Sequence, residues 1–209
     1  MADTLDVITL AEGKSAVNIA SSDTSQDTEL AGYITAVSRR LDSLCGPIVV
    51  RTITAENHLT NGENRVRLRV VPINSITAVE EYDSQGTLLT LTGETKTSKP
   101  GDAYLVDPTT TVRQYLVRRS YGLNYTFPPS GWLHVDYVAG RYDTTALVDP
   151  VFKQAAAIMI ANLWRREQGV GSNTFGNAGD MFNPLIPTFA VPRAVLELLA
   201  EHLRPAGIA

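Results

Sequence analysis

Cysteine is almost absent from this 209-residue sequence, and Cys45 is the single one. That excludes an intramolecular disulfide and a cysteine-based zinc site. No apolar run approaches the 18 or so residues of a membrane span, and no signal-peptide pattern opens the chain, so a cytosolic protein with no membrane partner is expected. Asn124-Tyr125-Thr126 is then a chance sequon rather than a glycan site. Charge is sparse too: 19% of residues are Asp, Glu, Lys or Arg, against about 25% in average usage. A surface so poor in charge suits a protein that covers much of itself with partners. The net charge of −4 argues against a dedicated nucleic-acid-coating protein. The histidines, His58, His134 and His202, lie in three separate segments and in no metal-ligand spacing. There is no GxSxG elbow and no Cys/His motif. Glu12-Gly13-Lys14-Ser15 lacks the earlier glycine of a phosphate loop, because that position is Ile8. Glu80, Glu81 and Asp102 show no carboxylate or metal partner at a recognisable spacing. The expectation is a protein without a catalytic site, metal or cofactor.

What the sequence does contain is helical periodicity at both ends. Asp149 to Gln168 is the clearest case. Asp149 can cap a helix, Pro150 suits its first turn, and Phe152, Ala156, Met159 and Leu163 recur at three- and four-residue steps, widened by Ile160 and Trp164. Arg165 and Arg166 suit the last turn and Gly169 can end it. Thr9-Leu10-Ala11-Glu12 has the capping-box pattern and predicts a short helix to about Asn18, weakened by Gly13 by up to about 1 kcal/mol relative to alanine. Asp27 is placed to cap a long helix with a stripe of Leu30, Tyr33, Ile34, Val37, Leu41 and Leu44, stopped by Cys45-Gly46-Pro47. Cys45 reads as a small buried hydrophobe. Val191-Pro192 opens a last predicted helix to about Leu203, striped by Val195, Leu198, Leu199 and His202.

From Ile48 the period shifts to two. Ile48 to Ala55 is rich in β-formers, Asn61-Gly62 signals a hairpin, and Arg65 to Val70 alternates arginine with aliphatics until Pro72. Ser75 to Tyr82 and Thr87 to Leu91 flank Asp83-Ser84-Gln85-Gly86, a second hairpin. A polar loop over 92–102 follows, then strands at Ala103 to Val106, Val112 to Arg119 and Trp132 to Ala139. In the last, Leu133, Val135, Tyr137 and Ala139 share one face. The expected fold class is α+β: helices near 9–18, 27–45, 149–168 and 191–203 form a core of 1–47 and 149–209, and an antiparallel β insertion spans about 48–140.

Two features read as contact surfaces. Arg65, Arg67 and Arg69 put three like charges on one strand face, which calls for something negative opposite: acids such as Glu80 and Glu81 across a subunit contact, or passing phosphate. The Gly- and Asn-rich segment 169–189 carries Phe175, Met181 and Phe182 as anchors in a loop longer than compact domains usually tolerate.

The order of these pieces resembles the head–tail connector (adaptor, or head-completion) proteins of long-tailed double-stranded DNA phages. The likeness is carried by Ile8-Thr9-Leu10-Ala11-Glu12-Gly13-Lys14, by Asp27-Thr28-Glu29-Leu30 opening a helix that ends Leu44-Cys45-Gly46-Pro47, and by Pro72-Ile73-Asn74-Ser75-Ile76-Thr77-Ala78-Val79 followed by Tyr82-Asp83-Ser84-Gln85-Gly86-Thr87-Leu88. Val135-Asp136-Tyr137-Val138-Ala139-Gly140, leading into a helix that ends Trp164-Arg165-Arg166-Glu167, completes it. It covers roughly 5–168; Gly13 and the 169–189 segment depart from it. The resemblance implies a ring of about twelve subunits in the virion neck, assembled in the host cytoplasm. Such a ring lies under the portal protein and extends the DNA channel. It meets a downstream connector, stopper or tail-terminator protein, while double-stranded DNA passes without sequence-specific binding. On this reading the last helix, with Val195 and Leu199, and the loop before it dock to the portal or to neighbouring subunits. The Arg65/Arg67/Arg69 face meets a ring neighbour or the tail side. The alternative from another class is a ligand- or carbohydrate-binding β module of a cellular protein, with Tyr82, Tyr104, Tyr115, Tyr121, Tyr125, Trp132 and Tyr137 as its platform. An enzyme would need the scattered acids and histidines gathered in one cleft.

Overall fold

The computed structural model describes residues 3–107, 114–168 and 191–203. The chain separates into two compact units, Met1–Val49 with Tyr142–Ala209, and Val50–Arg141. The fold is α+β.

The first unit is helical, with α1 (Leu10–Ala16), α2 (Asp27–Cys45), α3 (Pro150–Gln168) and α4 (Arg193–Leu198). Thr9 closes the capping box: the Glu12 amide donates to Thr9 Oγ1 at 3.2 Å, and the Thr9 amide donates to Glu12 Oε2 at 2.7 Å. Asp149 Oδ1 accepts from the Val151 amide at 2.8 Å at the start of α3. Asp27 is not a cap. It is the first helical residue, Gln26 holds the cap position without a side-chain hydrogen bond, and the Asp27 carboxylate lies 2.6 Å from Lys14 Nζ. Lys14 also donates to the Ser21 and Asp23 carbonyls, so the residue that suggested a phosphate loop instead ties down the turn before α2.

Leu30, Ile34, Val37 and Leu41 of α2, Phe152, Ala156, Met159, Ile160 and Leu163 of α3, and Val195 and Leu199 form one buried cluster, which includes Cys45. Burial of each large side chain stabilises by roughly 1.5–3 kcal/mol, as an upper bound. Tyr33 meets Trp164 edge-on at 6.1 Å. Gly13 lies where α1 crosses α2, and a Cβ there would stand 2.6 Å from Ile34 Cδ1. The propensity lost at Gly13 permits that close crossing. The last helix is shorter than its stripe predicts, with hydrogen-bonded turns continuing to Leu203.

The second unit is a two-sheet sandwich. Its strands are β1 (Arg51–Asn61), β2 (Arg65–Arg67), β3 (Ile73–Tyr82), β4 (Leu88–Thr90), β5 (Thr92–Gly93), β6 (Ala103–Val106), β7 (Tyr115–Ser120), β8 (Leu123–Asn124) and β9 (Pro129–Ala139). One sheet has the order β1-β9-β3-β4; the other runs β2-β7-β6-β5, with β8 on β7. Val79, Leu133, Val135 and Tyr137 from the first sheet and Val66 and Leu116 from the second fill the core between them, with Phe127.

Asn61-Gly62 does not make a hairpin. Gly62 has φ 84°, but β1 pairs with β9 whereas β2 pairs with β7. Beyond the turn, the Glu63 and Asn64 carbonyls accept from the Phe127 and Arg118 amides, which draws the chain into the other sheet. The second hairpin forms: Tyr82 faces Leu88 in register, and Asp83 Oδ1 accepts from the Gln85 and Thr87 amides. Within the predicted polar loop, β5 pairs parallel to β6, the one exception to antiparallel pairing among the named strands.

Candidate interaction surfaces

Chemistry-bearing side chains gather in the β unit, and the buried ones act as struts. Arg118 is 2% exposed. Its Nε donates to Glu81 at 2.9 Å, its Nη2 to Asp102 at 3.1 Å, and its Nη1 to the Ala103 and Arg119 carbonyls. Burial pushes the Glu81 carboxyl above its usual range, although the Arg118 guanidinium opposes that shift. Glu56 is the second strut. It accepts from Tyr137 Oη at 2.6 Å and from the Arg69 amide at 2.9 Å, and it lies 2.7 Å from His58 Nε2. Burial alone would raise Glu56, but these hydrogen bonds together hold it below the usual carboxylate range. Burial, and then Glu56, push the Tyr137 hydroxyl far up.

The outer face of the β1-β9-β3-β4 sheet carries a row in cross-strand register: Leu59, Trp132, Tyr82 and Leu88, one residue from each strand. Leu59, Trp132 and Leu88 are 55%, 52% and 50% exposed. Three exposed apolar side chains aligned with the half-buried Tyr82 on one solvent face exceed the scattered exposure normal for a monomer's surface. The next row is Asn57, His134, Glu80 and Thr90, with Asp136 beyond His134. Parity puts them there, because Leu133, Val135 and Tyr137 take the inward positions. The carboxylates on this face have no lysine or arginine partner among the described residues: Glu80 accepts from Tyr82 Oη, and Asp136 lies 3.5 Å from His134 Nε2 and accepts from the Ala55 amide. Asp83, in the adjoining turn, is held below its usual range by its backbone donors. A Cβ on Gly131 would meet the Tyr82 carbonyl at 2.4 Å, so glycine there allows β9 to approach β3 beneath the row.

The outer face of the other sheet is basic. Arg65 and Arg67 are exposed while Val66 between them is buried. Arg65 lies over the Tyr115 ring at 5.2 Å, and neither arginine has an acidic partner among the described residues. Arg119 shares the face but is neutralised by Glu94 at 3.1 Å.

The predicted arginine stripe is therefore two residues rather than three. Strand β2 stops at Arg67, and Arg69 turns its guanidinium to the Asn57 carbonyl on β1. Glu81 cannot answer that stripe, because it is buried against Arg118. Val195 and Leu199 are corrected as surface candidates: both are fully buried in the helical core, and α4 turns Leu196 and Leu198 outward instead. Phe175, Met181 and Phe182 lie outside the described residues. The suggested aromatic platform disperses: Tyr137 is buried, and only Tyr82 and Trp132 of the seven share a cross-strand pair. Arg118 was missed from the sequence, although its parity with Leu116 on β7 was a usable signal for an inward position. His58 joins Glu56, His134 joins Asp136 and Asn57, and His202 lies against Phe152 with ring centroids 4.9 Å apart. Among the described residues no group of acids, histidines or cysteine is placed to hold a metal.

No protein-family model matches the sequence, and no curated protein matches it. Solved structures do match. The chain superposes on a chain from the neck of an empty gene transfer agent (GTA) particle computed with C6 symmetry, with TM-score 0.63 and 17% identity over 97% of this chain and 92% of that one. A chain from the virion of a native GTA particle gives TM-score 0.61 and 15% identity over 97% and 92%. One from the neck of a native GTA particle computed with C12 symmetry gives 0.55 and 16% over 100% and 97%. The likeness is one of fold, and it runs through both units.

Proposed function

We propose that this chain is a structural, non-catalytic subunit of the neck of a phage-like particle. It is an adaptor that assembles as a ring beneath the portal, extends the channel through which double-stranded DNA passes, and links the capsid to the tail or to the next connector protein. The observation that carries this reading is the full-length fold likeness to neck chains of gene transfer agents, whose necks were computed with sixfold and twelvefold symmetry. The exposed faces of the β unit support it, because a ring subunit must present contact surface to its neighbours. A net charge of −4 suits a channel that DNA passes rather than one that grips it. The test is the native mass of the purified protein, alone and mixed with portal rings of its own particle. A ring of about a dozen copies, or binding to portal with ring stoichiometry, supports the reading. A monomer indifferent to portal overturns it.

A further inference from the structure

The β unit has two outward faces of opposite character, on opposite sides of one shared core. On one side, the row Leu59, Trp132, Tyr82 and Leu88 is flanked by Glu80 in the next row, with Asp136 in the row beyond and Asp83 in the turn after Tyr82. On the other, Arg65 and Arg67 stand out from β2, with Tyr115 under Arg65. The carboxylates lack a lysine or arginine partner among the described residues, Asp136 having only His134 at 3.5 Å, and the arginines lack an acidic one, although the unit contains ion pairs elsewhere, at Arg118, Arg119 and Lys99. Carboxylates on one face and arginines on the other, each without a strong counter-charge among the described residues, describe a complementary pair of different surfaces on one protein. Surfaces of that kind associate head to tail, and a head-to-tail contact closes into a ring when its rotation permits.

We infer that the occupant of each face is a second copy of this chain. The Arg65/Arg67 face of one subunit docks on the Glu80/Asp136/Trp132 face of the next, and this β-to-β contact is a joint of the ring. The inference rests on the ring reading above and adds to it which surfaces meet. Trp132, Leu59 and Leu88 supply the desolvated centre, with the indole available to stack under an incoming guanidinium. The charges at the rim fix the register and exclude a like-faced, two-fold pairing, in which arginines would meet arginines.

Charge exchange tests it in the full-length chain. Arg65→Glu/Arg67→Glu and Glu80→Lys/Thr90→Lys each alter only solvent-facing positions, and circular dichroism verifies that both remain folded. Each alone should raise the concentration needed for assembly on the order of tenfold or more. Mixing the two variants should restore rings of alternating subunits, because each reversed face then finds its complement. Combining all four substitutions in one chain should restore rings as well. Singly reversed variants that assemble like the wild type overturn this contact while leaving the ring reading intact, as does failure of both the mixture and the combined chain to recover. A wild-type chain that stays monomeric, alone and on portal rings, overturns both.

Discussion

Replacing Arg118 by methionine is the sharpest test of the β unit's interior. Methionine keeps most of the aliphatic volume and removes the guanidinium. Glu81, whose side chain is 8% exposed and 2.9 Å from Arg118 Nε, is left inside without its cation. The Ala103 and Arg119 carbonyls lose their donor as well. Removing one member of a buried pair costs about 3–5 kcal/mol, because the remaining charge stays desolvated. Asp102 contributes little to that figure, since its side chain is 56% exposed. The pair itself is worth far less, so Arg118→Met/Glu81→Leu should recover most of the loss. The assay is urea unfolding in a Trp164→Phe background, where Trp132 alone reports on the β unit. With a denaturant slope of ~1–3 kcal/mol/M, the single variant's midpoint should fall by about 1–5 M. Its deficit should also shrink in acid. An uncompensated Glu81 has its folded-state proton affinity raised further, so the folded form binds more protons and stability falls as pH rises through the window above the ordinary carboxylate value. A single variant within about 1 kcal/mol of wild type at neutral pH, or a double variant no better than the single, refutes the reasoning.

Glu56 should behave in the opposite sense. Its folded-state affinity for protons is lowered by His58, Tyr137 and the Arg69 amide. It therefore contributes stability above the ordinary carboxylate value that is lost as pH falls through the lowered one; Glu56→Gln should flatten that part of an acid titration followed by circular dichroism. Gly131→Ala should destabilise the β unit by about 1–3 kcal/mol in urea, because the added methyl meets the Tyr82 backbone carbonyl, which cannot rotate away. At the end of the chain's helical unit, Leu199→Ala, just after α4, should cost roughly 2–5 kcal/mol of thermal or urea stability, whereas Leu196→Ala on α4 should stay within about 0.5 kcal/mol. Equal effects would contradict the assignment of inner and outer faces.

By itself, the sequence determined the parts that local physics controls. The Thr9 capping box, the Asp149 cap, the stripes of α2 and α3, the Asp83 turn and the inward parity of Leu133, Val135, Tyr137 and Ala139 all follow from interactions within a few residues, and an α+β fold follows from them. Which strand pairs with which did not. Asn61-Gly62 permits a hairpin, but the Phe127 and Arg118 amides, more than fifty residues away, claim the carbonyls beyond it. The faces were legible as residues and not as surfaces. Arg65 and Arg67 could be read from alternation. Arg69 could not, since its fate depends on the neighbouring β1 edge. Val195 and Leu199 form an apolar stripe whether it points to a partner or to the chain's own core, and only burial against α3 separates the two. The aligned row of Leu59, Trp132, Tyr82 and Leu88 required the register of four strands, two of them about seventy residues apart. Side-chain periodicity is a property of one segment. A surface belongs to several segments at once, and tertiary structure decides it.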